Sequence, residues 1–311
     1  MKKIDLITGY LGSGKTTFIR KYVKYLLEAG EKICILENDF GAVNVDMMLL
    51  SDLRCDNLEV EMVAGGCDVD CHRRRFKTKL IAMGMDDYSR IIIEPSGIFD
   101  VDEFFDVLYD EPLNRWYEIG SVIAIVDAGI NKMLSDNSKY VFASEIANAG
   151  AIILSKTQNY DAEEIEKTKI FIGKCLEDIN CDISSMNNII DVPWDEFDKD
   201  IFNRIITSGY KKNSFIKMLT DQSESYNSLY FLDKKITSHR AKDIAGLLFG
   251  NKKYGNVIRI KGLSFEENHW NQINITENEC LINEADDGQD VLIVIGENLD
   301  EALINALLMA N

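Results

Sequence analysis

Gly9-Tyr10-Leu11-Gly12-Ser13-Gly14-Lys15-Thr16 satisfies G-x-x-x-x-G-K-[ST] at every fixed position, and its flanks decide the fold. The apolar run Ile4-Asp5-Leu6-Ile7-Thr8 ahead of it reads as a buried strand. Behind it, Phe18, Ile19, Tyr22, Val23, Leu26 and Leu27 recur at helical spacing, which predicts a helix from Thr16 to Ala29. A strand, a glycine-rich turn and a helix together make a phosphate cradle. The glycines let backbone N–H groups curl around phosphate oxygens, and the helix start adds a favourable dipole. Gly9, Gly12, Ser13, Gly14 and Thr17 are read as the cradle. Lys15 is expected to reach the outer phosphates, and the Thr16 hydroxyl to take a place on Mg²⁺. The chain is therefore expected to bind a nucleoside triphosphate.

Composition narrows the class. The 311 residues, 46% of them hydrophobic, suit one large or two moderate domains with ample core. No apolar run is long enough to span a bilayer. The first lysines are followed at once by Asp5 and the phosphate loop, so the N-terminus reads as a structural strand and not a signal peptide. Seven scattered cysteines (Cys34, Cys55, Cys67, Cys71, Cys175, Cys181 and Cys280) favour a reducing, cytoplasmic setting. A net charge of -18 disfavours nucleic acid and anionic membranes as partners.

Strands and helices then alternate as a mostly parallel α/β sheet requires, with helices on both faces. Strands are expected at Lys32–Leu36, Arg90–Ile93, Val122–Val126 and Ala151–Leu154, with helices near 71–83, 100–110, 139–148 and 161–178. These elements define a nucleotide domain over 1–181. The polar stretch 182–225, with Asn187-Asn188 and a turn at Trp194, reads as a helical connector. From 226 to 311 the pattern becomes that of a smaller α+β domain. Strands are expected at 229–232, 255–261, 269–275, 279–283 and 291–295, and helices at 239–249 and 299–309.

Three strand ends point to the kind of nucleotide chemistry. Ile91-Ile92-Ile93-Glu94-Pro95-Ser96-Gly97 closes a buried strand with a carboxylate, suited to Mg²⁺ or to orienting a water, and Gly97 leaves room for a γ-phosphate. Glu37-Asn38-Asp39-Phe40-Gly41 offers a second carboxylate, Asp39, on a loop able to sense that phosphate. Ser155-Lys156-Thr157-Gln158 follows the fifth strand, where guanine-specific proteins carry N-K-x-D.

With these residues in hand, the chain resembles the CobW-type branch of the metallochaperone GTPases, the group that includes UreG and HypB. The matching stretches are 9–17, Glu37–Asp46, Gly65–Cys71, Glu94–Gly97, Val126–Ala128 and Ser155–Gln158; Asn256–Gly262 resembles the strand that opens the family's C-terminal domain. The resemblance implies a P-loop GTPase domain followed by a CobW-like C-terminal domain. It implies GTP and GDP as ligands, slow hydrolysis, and delivery of a transition metal or metallocofactor to a client protein. It also leaves room for a nucleotide-dependent homodimer. Mg²⁺ would be held by Thr16 together with Asp39 or Glu94, with Lys15, Thr16 and Glu94 carrying hydrolysis.

Two departures from the family pattern matter. Relatives carry G-C-x-C-C, whereas this chain has Cys67-Asp68-Val69-Asp70-Cys71-His72, with the cysteines four apart. Two thiolates with His72 or an aspartate suit Zn²⁺, and thiolates also suit Co²⁺ and Ni²⁺. The other reading is two small residues lining a switch loop. At the base end, Ser155 replaces an Asn and Gln158 replaces the Asp that would accept from guanine, while Lys156 is retained. A neutral amide gives up part of a charged acceptor's discrimination, so ATP remains an alternative to GTP.

The remaining features read blandly. Arg73-Arg74-Arg75 is a solvated helix face or a contact for an acidic client, 284–290 is an acidic turn, His239 and His269 are structural, and Cys34 is packing. A competing function dispenses with the metal: a nucleotide-gated adaptor that activates a client enzyme, for example a corrinoid enzyme.

Overall fold

The computed structural model describes residues 1–39, 50, 53, 55–64, 69–95, 101–130, 134, 136–213, 227–277, 279–285 and 288–309. They fall into two compact units, Met1–Met218 and Leu219–Asn311.

The first unit is wound around a seven-stranded sheet in the order β3-β2-β4-β1-β5-β6-β7. Its strands are β1 (Lys2–Thr8), β2 (Ile33–Asp39), β3 (Leu58–Ala64), β4 (Arg90–Pro95), β5 (Tyr117–Asp127), β6 (Ala151–Ser155) and β7 (Ile189–Ile190). Every described pairing among them is parallel. Ile4, Leu6, Ile7, Ile91, Ile92, Ile93 and Val122–Val126 are buried, as inner strands covered on both faces demand. The helices are α1 (Lys15–Glu28), α2 (Val69–Met85), α3 (Val101–Tyr109), α4 (Leu113–Trp116), α5 (Asp136–Ala147), α6 (Ala162–Asp178) and α7 (Lys199–Ile206). β1 lies between β4 and β5, so successive connections leave it in opposite directions. The crevice this opens at the strand C-termini is where ligands bind in open α/β sheets.

Two parts of this unit differ from the sequence expectation. Leu58–Ala64 is a strand that was not anticipated. It is the sheet edge beside β2, and its alternation of Leu58, Val60 and Met62 with Glu59 and Glu61 suits a strand with only one neighbour. The segment read as connector supplies β7 and α7. Ile190, Phe202 and Ile205 join the core cluster of Phe18, Tyr22 and Leu26 from α1, and α7 starts on an Asp198 cap that accepts from Asp200 and Ile201 N–H. Its few apolar residues are spaced at 201, 202, 205 and 206, enough for one buried helical stripe.

A buried charge network ties the centre of the sheet. Arg90 Nη1 donates to Asp5 Oδ2 at 2.6 Å, Tyr22 Oη donates to the same oxygen at 2.7 Å, and Ser121 N–H donates to Oδ1 at 2.8 Å. Asp5 and Arg90 are almost wholly buried. Burial, and next the Asp5 carboxylate, hold the Tyr22 phenol protonated well above its usual range. One network thus fixes β1, β4, β5 and α1 in register.

The second unit is an antiparallel sheet in the order β11-β10-β9-β12-β8. It comprises β8 (Asn227–Leu232), β9 (Asn256–Glu266), β10 (His269–Thr276), β11 (Glu279–Ala285) and β12 (Val291–Glu297). Helices α8 (Ser238–Leu248) and α9 (Glu301–Met309) share its core through Ala241, Ile244, Leu248, Ile304 and Leu308. Among the described residues, no helix is long and apolar enough to cross a membrane.

Candidate functional site

The site begins where β1 ends. Gly9 has φ 138°, and a Cβ there would lie 2.2 Å from the Ile125 carbonyl oxygen, so only glycine lets the chain turn off the strand. Gly14 has φ 95° and takes the N-cap position of α1 without a side-chain cap. Three other helices start on side-chain caps: Asp161 caps α6, Asp198 caps α7 and Thr237 caps α8. The first-turn N–H groups of α1, from Lys15 to Thr17, are left for a ligand, with the positive end of the helix dipole behind them. No acidic residue lies in that first turn to compete with an anion. Gly12 also has positive φ, and the buried Ser13 hydroxyl has no hydrogen-bond partner.

Lys15 is buried, and its ammonium donates to the Gly9 carbonyl at 2.7 Å, folded back along the loop. Thr16 Oγ1 donates to Glu94 Oε1 at 3.1 Å, which joins the helix start to the end of β4. A hydroxyl and a carboxylate side by side form the hard oxygen donor set that Mg²⁺ takes. Thr16 and Glu94 therefore fit the ion. Glu37, buried at the end of β2, stands opposite Glu94 in strand register. In the sequence Glu37 heads the stretch Glu37–Gly41 and was given no role there, although a carboxylate inside a buried apolar strand is itself a signal. The Asp39 side chain and Gly97 lie outside the described residues.

Lys156 links the base end to the cradle. It follows β6 in a left-handed conformation with φ 58°, pairs with Asp127 Oδ2 at 2.9 Å and donates to the Gly12 carbonyl at 3.4 Å. Asp127 in turn accepts from Gly129 N–H at 2.8 Å. Ser155 is buried, its hydroxyl directed to the Val126 carbonyl at 3.4 Å, whereas Gln158 is exposed. Sequence reasoning did not connect Trp194 to this site. Its indole N–H donates to the Leu154 carbonyl at 2.9 Å, its ring edge lies 3.3 Å from where a Gly14 Cβ would stand, and it meets Phe18 edge-on. Asp195 pairs with Lys21 and Asp191 with Lys169, bracing this loop against α1 and α6.

The cysteine stretch is described from Val69 onward, so Cys67 lies outside the described residues. Cys71 sits in the first turn of α2 and lines a groove of about 480 Å³ between α2 and β3. Met62, Val63 and Ala82 also line it, with Arg74, Arg75 and Lys79. His72 is buried. Successive helical residues diverge by about 100°, so Cys71 and His72 project to different sides of α2. Among the described residues, no three His, Cys, Asp or Glu side chains meet as a metal cluster. Cys34 is wholly buried on β2, and burial pushes its thiol up to about 12. His239 is exposed on α8, and Asp290 accepts from Lys235 N–H at 2.6 Å.

The zinc chaperone YjiA of Escherichia coli is 29% identical over 161 residues, spanning 50% of this chain and 49% of YjiA. The zinc chaperone YeiR of the same organism is 28% identical over 166 residues, 52% of this chain and 49% of YeiR. This chain thus matches about half the length of these curated relatives. A crystal structure of Zn(II)-bound YjiA GTPase aligns over 98% of this chain and 97% of that one, at 19% identity and a TM-score of 0.40. Residues 3–181 match the family described as CobW/HypB/UreG, nucleotide-binding domain, and the chain belongs to that family.

Proposed function

We propose that this protein is a GTP-binding, slowly hydrolysing switch that couples its nucleotide state to the handling of a transition metal, with zinc first and cobalt second. The observation that carries the reading is the uncapped start of α1 set against Lys15 and the Thr16–Glu94 pair at the crevice of the sheet. Lys15 and the first-turn N–H groups stabilise charge developing on the outer phosphates. Thr16 and Glu94 would hold Mg²⁺, which when bound neutralises the β- and γ-oxygens. Glu94 or a neighbouring group orients the attacking water. Lys156 positions the base through its stem while its ammonium stays with Asp127 and Gly12. Because positioning and electrostatics are most of what the site supplies, intrinsic turnover is expected to be slow.

Base choice is testable at one exposed residue. Gln158→Asp should raise the GTP-over-ATP preference by up to about tenfold, the worth of one improved charge-assisted contact. An unchanged ratio in competition binding would move base recognition away from Gln158, to the backbone or the Trp194 loop.

The metal reading supposes that Cys67 and Cys71, with an aspartate, take the cargo ion, since His72 projects to another side of α2. Their stretch lies between the two strand-end loops that would sense a γ-phosphate, so metal and nucleotide affinities should shift one another by the same factor. Purified protein is expected to bind a single Zn²⁺ or Co²⁺, with thiolate charge-transfer absorption for cobalt and affinity falling as pH drops. Cys67→Ser or Cys71→Ser should remove most of that affinity. Cys34→Ser should not, because its thiol stays protonated in the core. Cobalt spectra without sulfur ligation would put the metal-free adaptor reading first.

A further inference from the structure

Gly9, Gly12 and Gly14 all take positive φ in the cradle, and each is held by a group outside the loop. Gly9 stands against the Ile125 carbonyl, and Lys156 donates to the Gly12 carbonyl at 3.4 Å. Gly14 has φ 95° and ψ 23° and no side-chain cap, and its carbonyl accepts from Phe18 N–H at 3.0 Å to open the helix ladder. Glycine populates positive and negative φ about as readily, so its residue type alone does not keep it there.

What faces Gly14 is the indole of Trp194. A Cβ built on Gly14 would lie 3.3 Å from Trp194 Cη2 and 3.9 Å from its Cζ3, with Ser155 Cβ at 3.8 Å. The Ser155 hydroxyl turns the other way, to the Val126 carbonyl. The ring edge therefore leaves room for a hydrogen on that side of Gly14 and crowds anything larger.

The indole is fixed independently of Gly14. Its N–H donates to the Leu154 carbonyl at 2.9 Å, near the end of β6, and its ring meets Phe18 edge-on at 5.8 Å between centroids. Pro193 precedes it with φ -54°, and the turn closes behind it as Glu196 N–H donates to the Pro193 carbonyl at 2.9 Å. Asp191 pairs with Lys169 at 2.6 Å before it and Asp195 with Lys21 at 2.7 Å after it; the second pair is exposed and adds little. Trp194 thus bridges the end of β6 and the first turn of α1.

Gly14 is the joint between loop and helix, so its conformation sets where the N–H groups of Lys15 to Thr17 point. We propose that Trp194 is a positioning residue of the phosphate loop: its indole edge keeps Gly14 left-handed, so the cradle stands formed before phosphates arrive. A preformed cradle avoids the ordering cost at binding. Phosphates, once seated, hold the loop themselves, so the indole acts on KM and not on kcat. The inference rests on the cradle being the nucleotide site.

The test is steady-state phosphate release by the full chain with GTP and with ATP, using inorganic tripolyphosphate as a competitor that carries no base. Trp194→Ala should raise KM for both nucleotides and Ki for tripolyphosphate by about the same tenfold, the worth of ordering one backbone residue. Its kcat should change by less than about twofold. A rise confined to one nucleotide, with tripolyphosphate unaffected, would put the indole on the base and overturn the inference. A lower kcat at unchanged KM marks a smaller folded fraction, which is an effect of core packing alone, and overturns it as well. So does no change. If a thermal melt shows Trp194→Ala unfolded, Trp194→Leu takes its place. Leucine keeps an apolar contact with Phe18 but is too short to reach Gly14, and the same pattern is expected. A wild type that neither binds nor hydrolyses GTP or ATP is a different failure: it removes the nucleotide site itself, and this inference with it.

Discussion

Lys15→Ala is expected to lower GTP turnover by about 10²–10³, the loss that follows removal of one preorganised donor from a charge-developing site, and to weaken triphosphate binding with it. The fold should survive. Lys15 makes its hydrogen bond to the Gly9 carbonyl, and losing that bond costs about 0.5–1.5 kcal/mol. The measurement is steady-state phosphate release alongside binding of a fluorescent nucleotide, with a thermal melt as the control for folding. Wild-type hydrolysis by a folded Lys15→Ala protein would refute the assignment of the phosphate loop.

The second large effect concerns stability. Asp5→Ala should destabilise the first unit by about 3–5 kcal/mol, because it leaves Arg90 charged and buried and strips the Tyr22 hydroxyl and Ser121 N–H of their acceptor. Glu31 at 3.7 Å from Arg90 Nη2 is too distant and too exposed to replace Asp5. Adding Arg90→Met to Asp5→Ala should recover part of the loss, since the uncompensated charge goes with it. Urea unfolding reads both values. A loss below about 1 kcal/mol for Asp5→Ala would mean that water or rearrangement satisfies Arg90, and that the network does not hold the register of the central strands.

Local pattern carried the phosphate loop and the order of elements along the chain. A glycine–lysine–threonine run between an apolar strand and an amphipathic helix specifies its own geometry, because each step depends on neighbours within a few residues. The inner strands were legible for a related reason: Ile91-Ile92-Ile93 and Val122–Val126 are apolar throughout, as burial on both faces requires. Leu58–Ala64 was harder to read, since an edge strand keeps Glu59 and Glu61 among its apolar residues and so loses the continuous signal. The stretch 182–213 was harder still. Its two-residue strand and eight-residue helix hold their place through contacts with α1, and local sequence does not record those contacts.

The sequence by itself therefore determined the strand, glycine turn and helix of the cradle and the family resemblance, and it singled out Lys15, Thr16, Glu94 and Lys156 as candidates by type and local spacing. Only the tertiary structure decided which of their side chains meet. It placed Glu94 on Thr16 across 78 residues and Lys156 between Asp127 and the Gly12 carbonyl. It stood Trp194 against Gly14, and it buried the Glu145 carboxyl on α5 with no hydrogen-bond partner for Oε2. Each of these depends on which strands lie side by side and how deeply a side chain is buried, and burial is a property of the whole packed sheet that no short window of sequence contains.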